Sequence, residues 1–213
     1  NVVIFTNNDD AYETALSLHS KGIKIKAIID IRDKSDGYLV NECIDLGIKI
    51  MWNHTVVYAG GHKRINKIFV MKLSNNNNSV IGSKIKIDCD LMCMSGGYTP
   101  AVHLFSQSGG KLSFDKKKFY FYPGTTNLDQ ISVGACSGIF NLKKIVQDTN
   151  FKVNKFLGTS IKNEIYASDN KSGGFKNIWL LPSDKVSGKT KSFVDFQNDA
   201  TANDIKLALR EGF

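Results

Sequence analysis

Residues 1–32 constrain what this chain can fold into more than any other stretch. Val2-Val3-Ile4-Phe5 is a short apolar run, β-branched and aromatic, of the kind that forms a strand buried on both faces. Thr6-Asn7-Asn8-Asp9-Asp10 follows, a polar turn with several candidate helix caps. Ala11, Ala15, Leu16 and Leu18 then fall near helical spacing, and Gly22 is placed to end that helix. Ile25-Lys26-Ala27-Ile28-Ile29 reads as a second strand, closed by Asp30. The order strand, helix, strand in so short a span predicts a β-α-β unit of the length a dinucleotide-binding fold uses.

The turn inside that unit departs from what nucleotide binding needs. A Gly-x-Gly-x-x-Gly loop lets backbone approach a pyrophosphate at a helix N-terminus. Thr6 to Tyr12 contains no glycine, and Asp9 and Asp10 stand where a dianion would rest, so like charges repel it. The unit therefore reads as a Rossmann-type half without its phosphate loop. Asp30 sits where a carboxylate could hold a ribose. With the glycines missing, it is expected to be a solvated strand-end carboxylate or a cap.

The 213 residues suffice for one large domain or two small ones, and the formal charge of +8 raises the question of nucleic acid. The cations are mostly lysines scattered along the chain. Only Lys116-Lys117-Lys118 and His62-Lys63-Arg64 form tight runs, both in expected turns, so no nucleic-acid partner is expected. No apolar run approaches the ~20 residues of a membrane helix, and no membrane association is expected. Cys43, Cys89, Cys93 and Cys136 form no Cys-x-x-Cys pair; Cys89 and Cys93 lie in or beside one apolar run, so buried thiols are expected there, and a reducing cytoplasm fits. The four histidines are dispersed, and no metal-ligand spacing occurs. The chain opens directly in a strand, without Met or leader pattern, and closes on Gly212 and Phe213. It is expected to be an internal piece of a longer polypeptide.

Further along, residues 36–46 read as a helix through Leu39, Val40, Cys43, Ile44 and Leu46, stopped by Gly47, and 48–52 as a third strand. Residues 55–59 and 65–73 flank Gly60-Gly61 as a hairpin, and 80–87 returns as another strand. A meander after three parallel strands resembles the pyridine-nucleotide domain of two-dinucleotide-domain flavoprotein reductases. An apolar strand at 89–95 runs into Gly96-Gly97, and Pro100 starts a helix over 101–108. Short strands are expected at 111–115 and 119–123. Gln130 to Val133 is expected as a strand entering the small-residue turn Gly134-Ala135-Cys136-Ser137-Gly138, then a helix through Leu142, Ile145 and Val146. Small residues let a ligand approach, so Gly134, Ala135 and Cys136, with Gly97, are the candidate cofactor contacts. Close helix–strand packing would use the same residues. Residues 150–176 read as a polar connection, 178–182 as a short apolar strand, and 187–191 as a flexible patch.

Three strings carry a more specific resemblance. They are Ile4-Phe5-Thr6-Asn7-Asn8-Asp9-Asp10-Ala11-Tyr12, the stretch 94–112 beginning Met94-Ser95-Gly96-Gly97-Tyr98-Thr99-Pro100, and the tail 193–213. All three resemble the α subunit of heterotetrameric sarcosine oxidase, collinearly along the chain. The resemblance implies an α/β Rossmann-like fold of the flavoprotein reductase type with a β-meander insertion, plus the C-terminal part of a partner nucleotide domain. It divides the chain into a degenerate second nucleotide-type domain (1–88), return segments completing the NAD-binding domain (89–150), a linker with a short strand (151–192) and the start of a small helical module (193–213). It implies NAD on this subunit, with its glycine loop upstream of residue 1, and FAD and FMN in the whole enzyme. It also implies β, γ and δ subunits as partners, and tetrahydrofolate in a C-terminal region. The tail resembles the start of an iron–sulfur module, but 193–199 contains no cysteine, and without thiolates no cluster is expected.

The implied reaction is oxidative demethylation of sarcosine to glycine, with oxygen reduced to hydrogen peroxide and the one-carbon unit passed to tetrahydrofolate. This piece offers no acid, base or nucleophile for that chemistry. Its expected part is scaffold, partial NAD site and subunit contact. A subunit of a related opine or amine oxidase, and a redox-inactive binding module of nucleotide fold, are the alternatives.

Overall fold

The computed structural model describes residues 1–160, 174–178, 180–182 and 191–213. Two compact units emerge, one from Asn1–Ser95 with Ile178–Phe213, the other from Gly96–Asn177.

The first unit is built on β1 (Val2–Thr6), α1 (Asp10–Ser20), β2 (Ile25–Asp30), α2 (Tyr38–Asp45), β3 (Ile50–Trp52) and β7 (Leu91–Ser95). The four strands form a parallel sheet in the order β3-β2-β1-β7. All five residues of β1 are buried, as its continuous apolar run required of a central strand. Alternate side chains divide between two cores. Val2, Ile4 and Ile28 pack with Ala11, Tyr12 and Ala15 of α1 and with Val40 and Cys43 of α2. Val3, Phe5, Ala27, Ile29 and Ile31 pack with Ile68, Val70 and Leu73. Those last three belong to the inserted antiparallel sheet β4 (His54–Gly61), β5 (Ile65–Leu73) and β6 (Val80–Asp88). The result is helices, parallel sheet and meander in three layers, with each fully buried aliphatic side chain worth about 1.5–3 kcal/mol.

Sequence boundaries hold to within a few residues for these elements. The expected division at residue 88 falls just before β7, which pairs along its whole length with β1, Val2 opposite Leu91 through Thr6 opposite Ser95. At the β4–β5 turn, Gly61 has φ +151°, and a Cβ there would meet the Arg64 carbonyl oxygen at 1.9 Å. The same unit carries the tail: a small hairpin of β10 (Phe193–Asp195) and β11 (Ala200–Thr201), then α5 (Ala202–Glu211). Thr201 caps α5 as expected, and Asp204 completes the cap: its amide donates to the Thr201 hydroxyl, and its carboxylate accepts from the Thr201 amide at 2.8 Å.

The second unit holds α3 (His103–Gln107), the hairpin β8 (Lys111–Asp115) and β9 (Tyr120–Thr125), a 3-10 turn over Gly134–Ser137, and α4 (Leu142–Leu157). Two expectations are corrected here. Residues 130–133 form no strand; they run irregularly into the 3-10 turn. The helix expected to give way near residue 150 continues to Leu157, because Asn141 accepts from the Lys144 amide at its start and Gly158, in the left-handed region, closes it. Lys152 supports the polar second half by pairing with Asp148 at 2.8 Å and donating to the Ser132 carbonyl at 3.2 Å. No strand occurs at Ile178 or over 180–182. Residues 161–173 of the expected connection, Trp179, and residues 187–190 of the expected patch lie outside the described residues. Among the described residues, no helix is long and apolar enough to cross a membrane, and no group of three His, Cys, Asp or Glu residues could hold a metal.

Candidate functional site

In an open parallel sheet, ligands gather beyond the carboxyl ends of the strands. Here that end of β1 and β2 is filled by the chain's own side chains. Thr6 Oγ1 accepts from the Asn8 amide at 3.1 Å, which tightens the turn out of β1. Asn8 Oδ1 accepts from the Asp10 amide at 3.0 Å, using one of the free donors at the start of α1. The Asn8 side-chain amide reaches β7, donating to Ser95 Oγ at 3.1 Å.

Arg32, two residues past the end of β2, crosses the mouth of this turn. Its Nη1 lies 2.7 Å from Asp9 Oδ1, and its Nη2 lies 2.7 Å from Asp30 Oδ2. The Arg32 backbone amide donates to Asp30 Oδ1 at 2.8 Å, and the Tyr12 hydroxyl donates to Asp30 Oδ2 at 2.8 Å. The side chains of Arg32, Asp9 and Asp30 are 7%, 4% and 0% exposed, so this is a buried ionic cluster. The expectation of a solvated Asp30 is corrected. Tyr12 and Arg32 enclose its carboxylate, and it has no face toward solvent with which to meet a ribose.

Electrostatics follow from burial. Burial opposes the charge on Arg32, but its hydrogen bonds to Asp30, the Asp30 charge and then Asp9 outweigh that cost and hold its pKa above the ordinary value. Burial first, then the Asp30 charge and hydrogen bond, push the Tyr12 phenol far up, so it stays a donor. Asp10 is raised by burial and by neighbouring Asp9 and Glu13, with Arg32 opposing. A nucleotide phosphate would meet Asp10 and Glu13 in the first turn of α1, with Asp9 already on Arg32 at the cap. The sequence showed this barrier through Asp9 and Asp10. It missed Arg32 and Tyr12, whose only signal is an Arg two residues after a strand-terminal Asp.

The four candidate cofactor contacts all lie in the second unit. Gly134 is buried with φ +63°, and a Cβ there would approach Ile145 Cγ2 of α4 to 3.1 Å. At Gly97 (φ +90°) a Cβ would come within 2.7 Å of the Phe175 ring. Both glycines thus make room for the chain's own packing. Ala135 and Cys136 are exposed on the 3-10 turn. Around them, the Tyr120 hydroxyl donates to the Gly138 carbonyl at 3.1 Å, and Tyr98 stacks on Phe140 with ring centres 5.5 Å apart.

Comparison with known proteins gives this geometry a setting. Sarcosine oxidase subunit alpha of Corynebacterium sp. (strain P-1) is 27% identical over 221 residues, covering 99% of this chain and 22% of that protein. The subunit of the same name from Rhizobium meliloti (strain 1021) is 27% identical over 230 residues, covering 99% of this chain and 20% of that protein. The family described as the sarcosine oxidase A3 domain matches residues 189–213. The chain is thus similar to sarcosine oxidase α subunits along nearly its whole length. It spans about a fifth of their length. Among solved structures, the HOCl-induced flavoprotein disulfide reductase RclA from Escherichia coli superposes with a TM-score of 0.52 at 17% identity. That match covers 74% of this chain and 35% of RclA, and it supports the Rossmann-like α/β fold. The sarcosine oxidase A3 match falls on the hairpin β10–β11 and helix α5, including the Thr201–Asp204 cap.

Proposed function

We propose that this chain forms part of the α subunit of a flavin-dependent sarcosine oxidase, where it serves as scaffold and partial NAD site. The single observation that carries the reading is similarity to sarcosine oxidase α subunits along 99% of the chain. In this reading 1–88, with β7 added to its sheet, is a degenerate second nucleotide domain. Residues 89–150 complete the NAD-binding domain, 151–192 connect, and 193–213 begin a small helical module that holds no iron–sulfur cluster.

The buried cluster supports this division of labour. Arg32 is held between Asp9 and Asp30, and the start of α1 is lined by carboxylates, so these residues do not fit a dinucleotide. Ala135 and Cys136 do fit one, since they offer small, exposed side chains on a turn seated by Gly134 and Ile145. Gly134, Ala135, Cys136 and Gly97 therefore stay together as the proposed cofactor side. NAD bound there would bring a nicotinamide ring that takes up hydride, and this chain's part is to seat it and to contact neighbouring subunits. FAD, FMN, tetrahydrofolate and the β, γ and δ subunits belong to the proposed whole enzyme, in the cytoplasm.

The test is the assembled enzyme containing the full α subunit. It is expected to form hydrogen peroxide from sarcosine and oxygen, and to release NAD on denaturation. Failure of a flavin-loaded complex to oxidise sarcosine would overturn the reading. Turnover of a bulkier N-substituted amino acid in its place would favour an opine or amine oxidase.

A further inference from the structure

The Asp9 carboxylate lies at a place with three positive features. Arg32 Nη1 is 2.7 Å away. Asp9 is itself the residue preceding α1, at the positive end of that helix's dipole, although its side chain makes no capping hydrogen bond there. Its second oxygen packs against Gly37, the residue preceding α2, so closely that a Cβ on Gly37 would lie 2.7 Å from Oδ2. A guanidinium with two helix N-termini is the chemistry that proteins use for carboxylates and phosphates.

We propose that the Asp9 carboxylate is a built-in ligand, occupying on Arg32 a preformed receptor for a small oxyanion. The inference rests on the reading that this fold half holds no nucleotide of its own. It accounts for two features together: Arg32 remains buried at a site with no cofactor to bind, and Gly37 lacks the side chain that would displace the carboxylate. Asp30 is held separately by Tyr12 and by the Arg32 backbone, so it keeps the guanidinium in place when Asp9 is removed.

The experiment is rescue of Asp9→Ala in the full chain, with sodium formate and inorganic phosphate as probes against sodium chloride at equal ionic strength. Asp9→Ala is expected to melt below the wild type. It should regain about 3–6 °C in formate at roughly tenfold over its dissociation constant, and chloride should give no such gain. The wild type is expected to melt alike in formate and chloride, and Asp10→Ala to show no formate-specific gain. An Asp9→Ala melt that formate and phosphate leave where chloride leaves it overturns the proposal, as does an equal gain in wild type or Asp10→Ala. If Asp9→Ala does not fold, its refolding yield in formate against chloride is the same measurement, and equal yields overturn the proposal. Wild-type binding of NAD that requires Arg32 would sink the underlying reading without altering the formate result.

Discussion

Tyr12, Arg32 and Gly37 each do something that their sequence neighbours do not announce. Tyr12→Phe removes one donor to a fully buried carboxylate and is expected to cost about 1–2 kcal/mol, read by urea denaturation. Gly37→Ala is a sharper probe, because its φ of −60° suits any residue and only the Asp9 oxygen opposes the new methyl group. It should destabilise the wild type by about 1–2 kcal/mol and be nearly neutral beside Asp9→Ala, a coupling that a double-mutant cycle measures. Among the thiols, burial and then Glu42 push the Cys43 pKa up to about 11, whereas Cys136 is exposed. Iodoacetamide at neutral pH is expected to label Cys136 in the native chain and Cys43 only after unfolding, as peptide mass spectrometry would show. At this scale the sequence was partly legible. The carboxylates of the turn were readable as a barrier to phosphate. The cation that binds them was not, because a guanidinium two residues past a strand has the same signature whether it faces water or a buried acid.

Elements were read more accurately, since periodicity and punctuation act locally. The continuous apolar run of β1, the helical spacing to Gly22 and the Gly60-Gly61 hairpin all follow from short-range rules, and each lies where those rules placed it. Errors arose where a polar sequence gains its order from caps. The second half of α4 lacks any buried residue and mixes Phe151, Val153, Phe156 and Leu157 with asparagines and lysines, so it read as a connection, yet Asn141, the Lys152–Asp148 pair and Gly158 sustain it. The opposite error occurred at 130–133, where β-like residues form no ladder. Helix α5 permits a test of capping by pH. Its Asp204 carboxyl is held below the usual range by the Thr201 side chain first and its amide second. A depressed acid contributes fully above the ordinary carboxylate pKa and loses that contribution as pH falls through its folded value. The Thr201 amide resonance should therefore titrate with a midpoint below that of a free aspartate, and Thr201→Ala, which keeps the amide and loses the hydroxyl, should raise that midpoint toward the free value and cost about 1 kcal/mol. In the meander, Gly61→Ala would drive a methyl group into the Arg64 carbonyl, and a loss of about 1–3 kcal/mol is expected by thermal melting.

For the molecule as a whole, apolar surface is well covered around the central strands of the parallel sheet and poorly covered elsewhere, Tyr38, Met94, Phe196 and Leu209 of the first unit included. Strands β1 and β2 are enclosed between helices and meander, whereas the second unit leaves Leu104, Phe114, Phe121 and Phe151 exposed. These 213 residues by themselves are expected to bind a hydrophobic dye and to self-associate with rising concentration. Phe114→Ser with Phe121→Ser should reduce both, as fluorescence and light scattering would report. The enclosed half is tied together by the Asp9–Arg32–Asp30 arrangement. A glycine loop grafted into the first turn would leave the Asp9 acid lodged on Arg32, and removing that acid would leave the buried cation with Asp30 alone unless an anion is supplied. Engineering a cofactor into this half would thus require both changes at once, since the ion pair acts as a latch across the turn.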